Sequence, residues 1–243
     1  HKDEIAQLLA RDNERPAITG VSRGGEEVLE DLLDKGCTEG HYSPFAVQIN
    51  TQPHSLPEIR NGRAGVQDEG SQLVALTLAH APLDGTDKNW LDLCAGPGGK
   101  AALLKYLANK RGANLTAVEL QAHRAKLVVL RRRAESRWRR QPRDVGALAK
   151  IQRGLLENAL KAIRPGGVVA YATCSPHLAE TEFVVEDVLA ADKSVRLISA
   201  TSALQGIPGL KHGSELPNQG DFVKLWPHLH DTDGMFIALL TRD

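Results

Sequence analysis

Two short stretches hold the residues best suited to chemistry. LDLCAGPGGK, Leu91 to Lys100, ends an apolar run with a cysteine, three glycines and a lysine, and YATCSPH, Tyr171 to His177, ends another run with a second cysteine. Small residues at a strand end let backbone amides approach a ligand, and in an open parallel sheet nucleotide-like ligands sit at the carboxyl ends of the strands. The common phosphate loops do not match. Cys94 stands where G-x-x-x-x-G-K-[ST] needs its first glycine, and the spacing of Gly96, Gly98 and Gly99 is not G-x-G-x-x-G. Glu119 closes the next apolar run, LTAVEL, where it is placed to accept both hydroxyls of a ribose, and Arg124 follows five residues later. Cys94, Ala95, Gly96, Pro97, Gly98, Gly99, Lys100, Glu119 and Arg124 thus suit an adenosine-containing cofactor without a pyrophosphate. S-adenosylmethionine fits that description; the alternative is a tight strand-to-helix turn with no ligand.

A cysteine held at a strand end beside such a cofactor is placed to act as a nucleophile, and the helix that follows Cys174 would favour its thiolate. An inert, packed thiol is the other reading, and the residues alone leave both open. Cys94 reads as small-residue packing inside the cofactor loop, and Cys37, in DKGCTEG, as incidental. The three cysteines form no C-x-x-C pair, so neither a disulfide framework nor a zinc site is indicated. His228 and His230 have no carboxylate or cysteine at metal spacing, and no metal is expected. His177 reads as a surface or capping residue. Asp68 or Ser71, in QDEGS (Gln67 to Ser71), reads as a helix cap, with packing under the cofactor loop as the functional alternative.

These residues need a scaffold. A chain of 243 residues with 42% hydrophobic residues can bury a sizeable core. Before about residue 66 the pattern is short and mixed, which reads as a small α+β subdomain over 1–66. From there to residue 243, helices alternate with the apolar runs NWLDLCA, NLTAVEL and GGVVAYATC, which implies an α/β domain with a parallel sheet. FVKLWPH and GMFIALLTR, joined by LHDTD, read as an antiparallel hairpin closing that sheet. No apolar stretch approaches the roughly 18 residues a membrane span needs, and no signal segment opens the chain. A cytoplasmic protein is expected.

The 30 basic and 30 acidic residues cancel, which argues against a general polyanion binder. Their distribution argues otherwise. Seven arginines fall between Arg131 and Arg143, and Trp138 stands among them. Arg131, Arg132, Arg133 and Arg137 can neutralise phosphates while Trp138 stacks or packs, so an RNA-binding strip is expected; a solvated helix face is the plain alternative.

AGVQDEGSQL, LDLCAGPGGK, AVEL, RRRAESRW and YATCSPH occur in this order in bacterial RNA cytosine-C5 methyltransferases. From about Pro16 onward the chain resembles the RsmB (Sun/Fmu) type of the NOL1-NOP2-Sun family. The resemblance implies a Rossmann-like, S-adenosylmethionine-dependent methyltransferase sheet with an antiparallel last hairpin, preceded by a small RNA-contacting subdomain. It implies methylation of C5 of cytosine in ribosomal RNA, 16S above all, with Cys174 as the nucleophile that adds to C6. It also implies that Cys94 to Lys100 cradle the methionine part of the cofactor and that Glu119 holds its ribose. RNA is the expected partner, with no membrane and no obligate protein partner.

Departures from the family pattern define the rival readings. An Asp-Ala-Pro-Cys segment on the fourth strand and an aspartate after the third are both missing, and Ala134 replaces the proline of an Arg-Arg-x-Pro motif. HRAKLVVL runs directly into RRRAESRW, so the chain is expected to lack a stretch near Leu130. A catalytically silent RNA-binding relative is one rival, and a small-molecule methyltransferase another. The chain starts at His1, and an upstream RNA-binding domain is expected in the full-length protein.

Overall fold

The computed structural model describes residues 4–14, 16–120 and 144–243. Its first part is an antiparallel sheet of β1 (Thr19–Ser22), β2 (Thr38–Glu39), β3 (Ala46–Gln48) and β4 (Ala64–Val66), in the order β2-β3-β1-β4. Helices α1 (Ile5–Asn13), α2 (Glu26–Asp34) and α3 (Pro57–Arg60) accompany it. In α2, Val28 and Leu32 lie one turn apart and are buried among Leu56, Val47 and Ile49, while Glu26 and Glu27 complement the helix N-terminus.

Next comes a parallel pair, β5 (Asn89–Asp92) and β6 (Asn114–Ala117), joined through α5 (Gly99–Lys110). After α6 (Asp144–Ala162) the chain builds a second four-stranded sheet from β7 (Val168–Thr173), β8 (Val195–Ile198), β9 (Val223–Leu225) and β10 (Met235–Arg242). β10 runs antiparallel between β7 and β8 and also pairs with β9. Ile237 and Leu239 face one core and Phe236, Ala238 and Leu240 the other, so both faces of β10 are covered and its sequence shows an apolar run rather than alternation. Helices α7 (Glu182–Ala191), α8 (Ala200–Gln205) and α9 (Pro227–His230) complete the order.

The last two apolar runs do pair, Met235 with Leu225 and Ile237 with Val223. A short helix rather than a bare turn joins them, and β10 extends well past the hairpin to form the sheet's centre. Strands β4 and β8 and helix α8 were not anticipated from the sequence, because runs of three to six residues are too short to show a period. Among the described residues no strand lies between Ala117 and Val168, and the parallel pair shares no ladder with the second sheet. Leu91 and Val118 on or beside the pair are exposed, as are Ile151 and Leu155 on α6.

What joins these parts is α4 (Glu69–Ala79), which packs against α5, β7, β10 and α8. Asp68 caps it by accepting the Gly70 N–H at 2.8 Å, as the helix-start reading expected. Leu73, Val74, Ala75 and Leu76 are buried together, so the helix is apolar around most of its circumference. Its polar exceptions face the first sheet. The buried Glu69 carboxylate accepts the backbone N–H groups of His41, Tyr42 and Ser43 at 2.8, 2.7 and 2.8 Å. Gln72 accepts from the Ser43 hydroxyl at 2.8 Å and donates to the Gly20 and Gln67 carbonyls at 3.1 and 3.0 Å.

Removing the Glu69 carboxylate would strand three backbone donors, two of them fully inside. Glu69→Ala is therefore expected to cost about 3 kcal/mol in urea unfolding. Burial, with Glu215 and Glu69 nearby, pushes the Tyr42 hydroxyl up to about 12. The folded state then holds a proton that the unfolded chain releases near pH 10, so stability falls as pH rises from 10 through about 12. Tyr42→Phe should flatten part of that loss in an alkaline unfolding series.

Candidate active site

The glycine loop turns sharply where β5 ends. Gly96 and Gly98 have φ of 56° and 92°, the left-handed region that glycine adopts without penalty. The Ala95 N–H donates to the Val118 carbonyl at 3.0 Å and the Val118 N–H to the Asp92 carbonyl at 2.8 Å, which ties the loop to the end of the neighbouring strand. Asp92 also accepts the Cys94 N–H at 3.1 Å. A Cβ placed on Gly98 would meet nothing within 4 Å, and one on Gly96 only the Cys94 carbonyl at 3.9 Å. The loop therefore presents open backbone at the head of α5. Beneath it lies Gln67, fully buried, whose side-chain carbonyl oxygen has no hydrogen-bond partner and sits 4.0 Å from the Cβ position of Gly99. An open cradle, an orphaned acceptor below it and the Glu119 carboxylate just past the end of β6 fit a cofactor with an amino-acid part and a ribose.

The thiol comes to this loop from the other sheet. Cys174 follows directly on Thr173, the last residue of β7, and is exposed. Lys100, in the first turn of α5, links the two. Burial lowers its pKa, opposed by Cys174 and then by Asp92, Asp233 and Asp68, so these five groups share one electrostatic neighbourhood. Burial also raises the carboxyl of Asp92 and the thiol of Cys94, each further raised by Glu119. A lysine held among acids and a thiol can steady a thiolate, a carboxylate ligand or a polar base edge.

The structure thus brings Cys94 to Lys100, Glu119 and Cys174 together. Arg124, Arg131, Arg132, Arg133, Arg137 and Trp138 lie outside the described residues. Arg60 and Arg63 are engaged within the first part of the chain: Arg60 donates to the His54 and Ser55 carbonyls, and Arg63 pairs with Asp31 and Glu58. His177 is exposed and its N–H donates to the Ser175 hydroxyl at 3.3 Å. Cys37 is buried in the first subdomain, which suits packing. Gln67 lies under the loop, where the functional reading of QDEGS puts that motif, although its buried acceptor was not foreseen; Asp233, in the turn before β10, whose charge acts on Lys100, was missed.

One group of metal-ligating side chains lies elsewhere among the described residues. Donor atoms of His41, His212 and Glu215 fall within 4.8 Å of one another. The two imidazoles are stacked at 4.2 Å and 1°, so their in-plane lone pairs run in parallel planes and do not converge on one ion. As placed, the trio is an ion-paired stack between the loop after β2 and the segment after α8, with His41 Nε2 at 2.7 Å from Glu215. No helix of the described residues is long and apolar enough to cross a membrane.

Comparison with known proteins gives this arrangement a family. The pattern of the family described as 16S rRNA methyltransferase RsmB/F matches residues 80–130 and 127–241. A Mycobacterium tuberculosis protein named as a methyltransferase is 45% identical over 280 residues, covering 98% of this chain and 60% of its own length. Ribosomal RNA small subunit methyltransferase B of Salmonella typhi is 28% identical over 221 residues, covering 70% of this chain and 50% of its own. The chain therefore spans between half and two thirds of these relatives. Among solved structures, a methyltransferase homolog protein from Pyrococcus horikoshii has a TM-score of 0.74 at 19% identity, covering 99% of this chain and 91% of its own. NSun6 from Pyrococcus horikoshii with SFG has a TM-score of 0.73 at 15% identity, covering 99% and 94%. These likenesses show the fold: a Rossmann-like α/β methyltransferase architecture with an antiparallel last hairpin. The 280-residue alignment is longer than the 243 residues of this chain, and the family match restarts at residue 127, so the relative holds residues with no counterpart here.

Because a Cβ on Gly98 meets no atom, replacing it tests the backbone alone. Gly98→Ala should destabilise by about 1 kcal/mol, the cost of a side chain in the left-handed region, with no loss of core packing. A thermal melt compared with Gly146→Ala, a glycine in α6 with nothing within 4 Å and no positive φ, checks it.

Proposed function

This chain belongs to the 16S rRNA methyltransferase RsmB/F family, and from that membership we propose that it methylates C5 of a cytosine in RNA, using S-adenosylmethionine and a covalent adduct on Cys174. The observation that carries the reading is an exposed strand-end thiol within electrostatic reach of the lysine that heads the glycine-loop helix. A thiol so placed has no use in methylation of an amino group. It has one at C5 of cytosine, which is too weak a nucleophile to take a methyl group unaided.

Residues Cys94, Ala95, Gly96, Pro97, Gly98, Gly99 and Lys100 would hold the methionine part of the cofactor, with Glu119 on its ribose; the fold neighbour described with SFG supports such a site. When bound, S-adenosylmethionine supplies an electrophilic methyl group. The Cys174 thiolate would add to C6 and leave an electron-rich C5. C5 would then take the methyl group as its carbon–sulfur bond to the sulfonium breaks and S-adenosylhomocysteine leaves, and passage of the C5 proton to a base would expel the thiolate. The cytosine must leave its stack to reach the thiol, and an exposed strand end accepts it. Small-subunit ribosomal RNA is the proposed substrate, from the names of the relatives, with Arg131, Arg132, Arg133, Arg137 and Trp138 proposed to bind it.

A second reading has its own support. We propose that this chain lacks a stretch near Leu130 that its relatives carry, because the alignment outruns the chain and the parallel pair shares no ladder with β7. If that stretch supplies what grips the base, the chain binds RNA without methylating it. Incubation with cofactor and ribosomal RNA containing 5-fluorocytidine separates the readings, since fluorine at C5 blocks the final elimination. The enzyme reading predicts an RNA-linked band on a denaturing gel for the parent and none for Cys174→Ala. RNA binding with no band in either assigns the silent reading instead.

A further inference from the structure

We propose that Glu180 is a positioning residue for the reaction, holding the turn that carries Cys174 through Ser175; this rests on the reading of Cys174 as the nucleophile. Glu180 is 4% exposed. A buried carboxylate is costly unless its oxygens are satisfied, and both are. One oxygen accepts the Ser175 hydroxyl, and the other accepts Gln152 Nε2, from α6, at 3.2 Å. The Glu180 backbone is fixed as well. Its carbonyl accepts the Tyr171 hydroxyl at 2.7 Å, and its N–H donates to the His177 carbonyl at 2.9 Å.

The effect falls on the turn that follows the thiol. The Ser175 N–H donates to Thr173 Oγ1 at 3.1 Å, the Ser175 hydroxyl is held by Glu180, and that same hydroxyl accepts the His177 N–H at 3.3 Å. Thr181 closes the far end by donating to the His177 carbonyl at 3.0 Å. Cys174 is therefore exposed between the end of β7 at Thr173 and a turn held through Ser175. A nucleophile that must approach one face of a base gains from such pinning, because misplacement by about 1 Å can cost on the order of a hundredfold in rate.

The test uses Glu180→Gln, Ser175→Ala and their double variant, with Cys174→Ala as control. The readouts are the single-turnover rate of adduct formation on 5-fluorocytidine RNA at saturating RNA, the RNA dissociation constant, the melting transition, and the rate of Cys174 alkylation by iodoacetamide. Each single variant should lower the adduct rate at least tenfold with the RNA dissociation constant unchanged, and the double variant should be no worse than the poorer single one. Alkylation should stay within twofold of the parent, since a small reagent tolerates many thiol positions. If Glu180→Gln does not fold, Ser175→Ala carries the test. Parental adduct rates in the variants would overturn the proposal, as would alkylation falling in step with the adduct rate or a loss explained by lost melting. A parent that forms no adduct overturns the reading of Cys174, and the inference with it; a parent adduct with unaffected variants overturns the role of Glu180 alone.

Discussion

Everything in the site depends on where α4 is held. The glycine loop grows from the parallel pair β5–β6, the thiol from β7 in the second sheet, and no ladder among the described residues joins the two. Their spacing is set instead by a buried helix that packs on α5 at one side and on β7 and β10 at the other. A helix buried nearly all round cannot be oriented by amphipathicity, so its few polar groups do that work. Glu69 and Gln72 lock its N-terminal turns onto the backbone of residues 41–43 and the Gly20 carbonyl, and thereby register the first sheet against the elements that follow.

Electrostatics then gives this geometry its chemistry. Lys100 is desolvated yet surrounded by Asp92, Asp233, Asp68 and Cys174, a balance in which burial disfavours the ammonium and its neighbours support it. A ligand or thiolate placed there interacts more strongly than at an open surface, because the surrounding dielectric is low. Cys174 and Cys94 are both exposed, but the Cys94 thiol is pushed up by partial burial and by Asp92 and Glu119, which disfavours its thiolate.

Much of this was legible in the sequence, for identifiable reasons. Glycines, a lysine and a cysteine at strand ends have few uses other than close approach and reactivity, so the loop and Cys174 stood out before any coordinates. The apolar runs at residues 89–92, 114–117 and 168–173 marked their strands, and the final hairpin was readable in outline. Non-local partners were not. Glu69 looks like an ordinary acid in a first helical turn, and nothing near it in sequence reveals that its acceptors' partners lie 26 to 28 residues away. Glu180 is equally plain until the fold returns Gln152 and Ser175 to it. Strands as short as β4 and β8 carry no period to read, and β10 concealed its central place because both of its faces are covered.

The glycine loop and the thiol, held by α4, are proposed to perform chemistry at C5 of cytosine. The most direct measurement of that chemistry is release of tritium to water from small-subunit ribosomal RNA labelled at C5 of cytosine, followed beside methyl incorporation from S-adenosylmethionine. One tritium should be released per methyl group gained, with both lost in Cys174→Ala. Methyl incorporation without tritium release would place the methyl group at another atom and contradict the proposal.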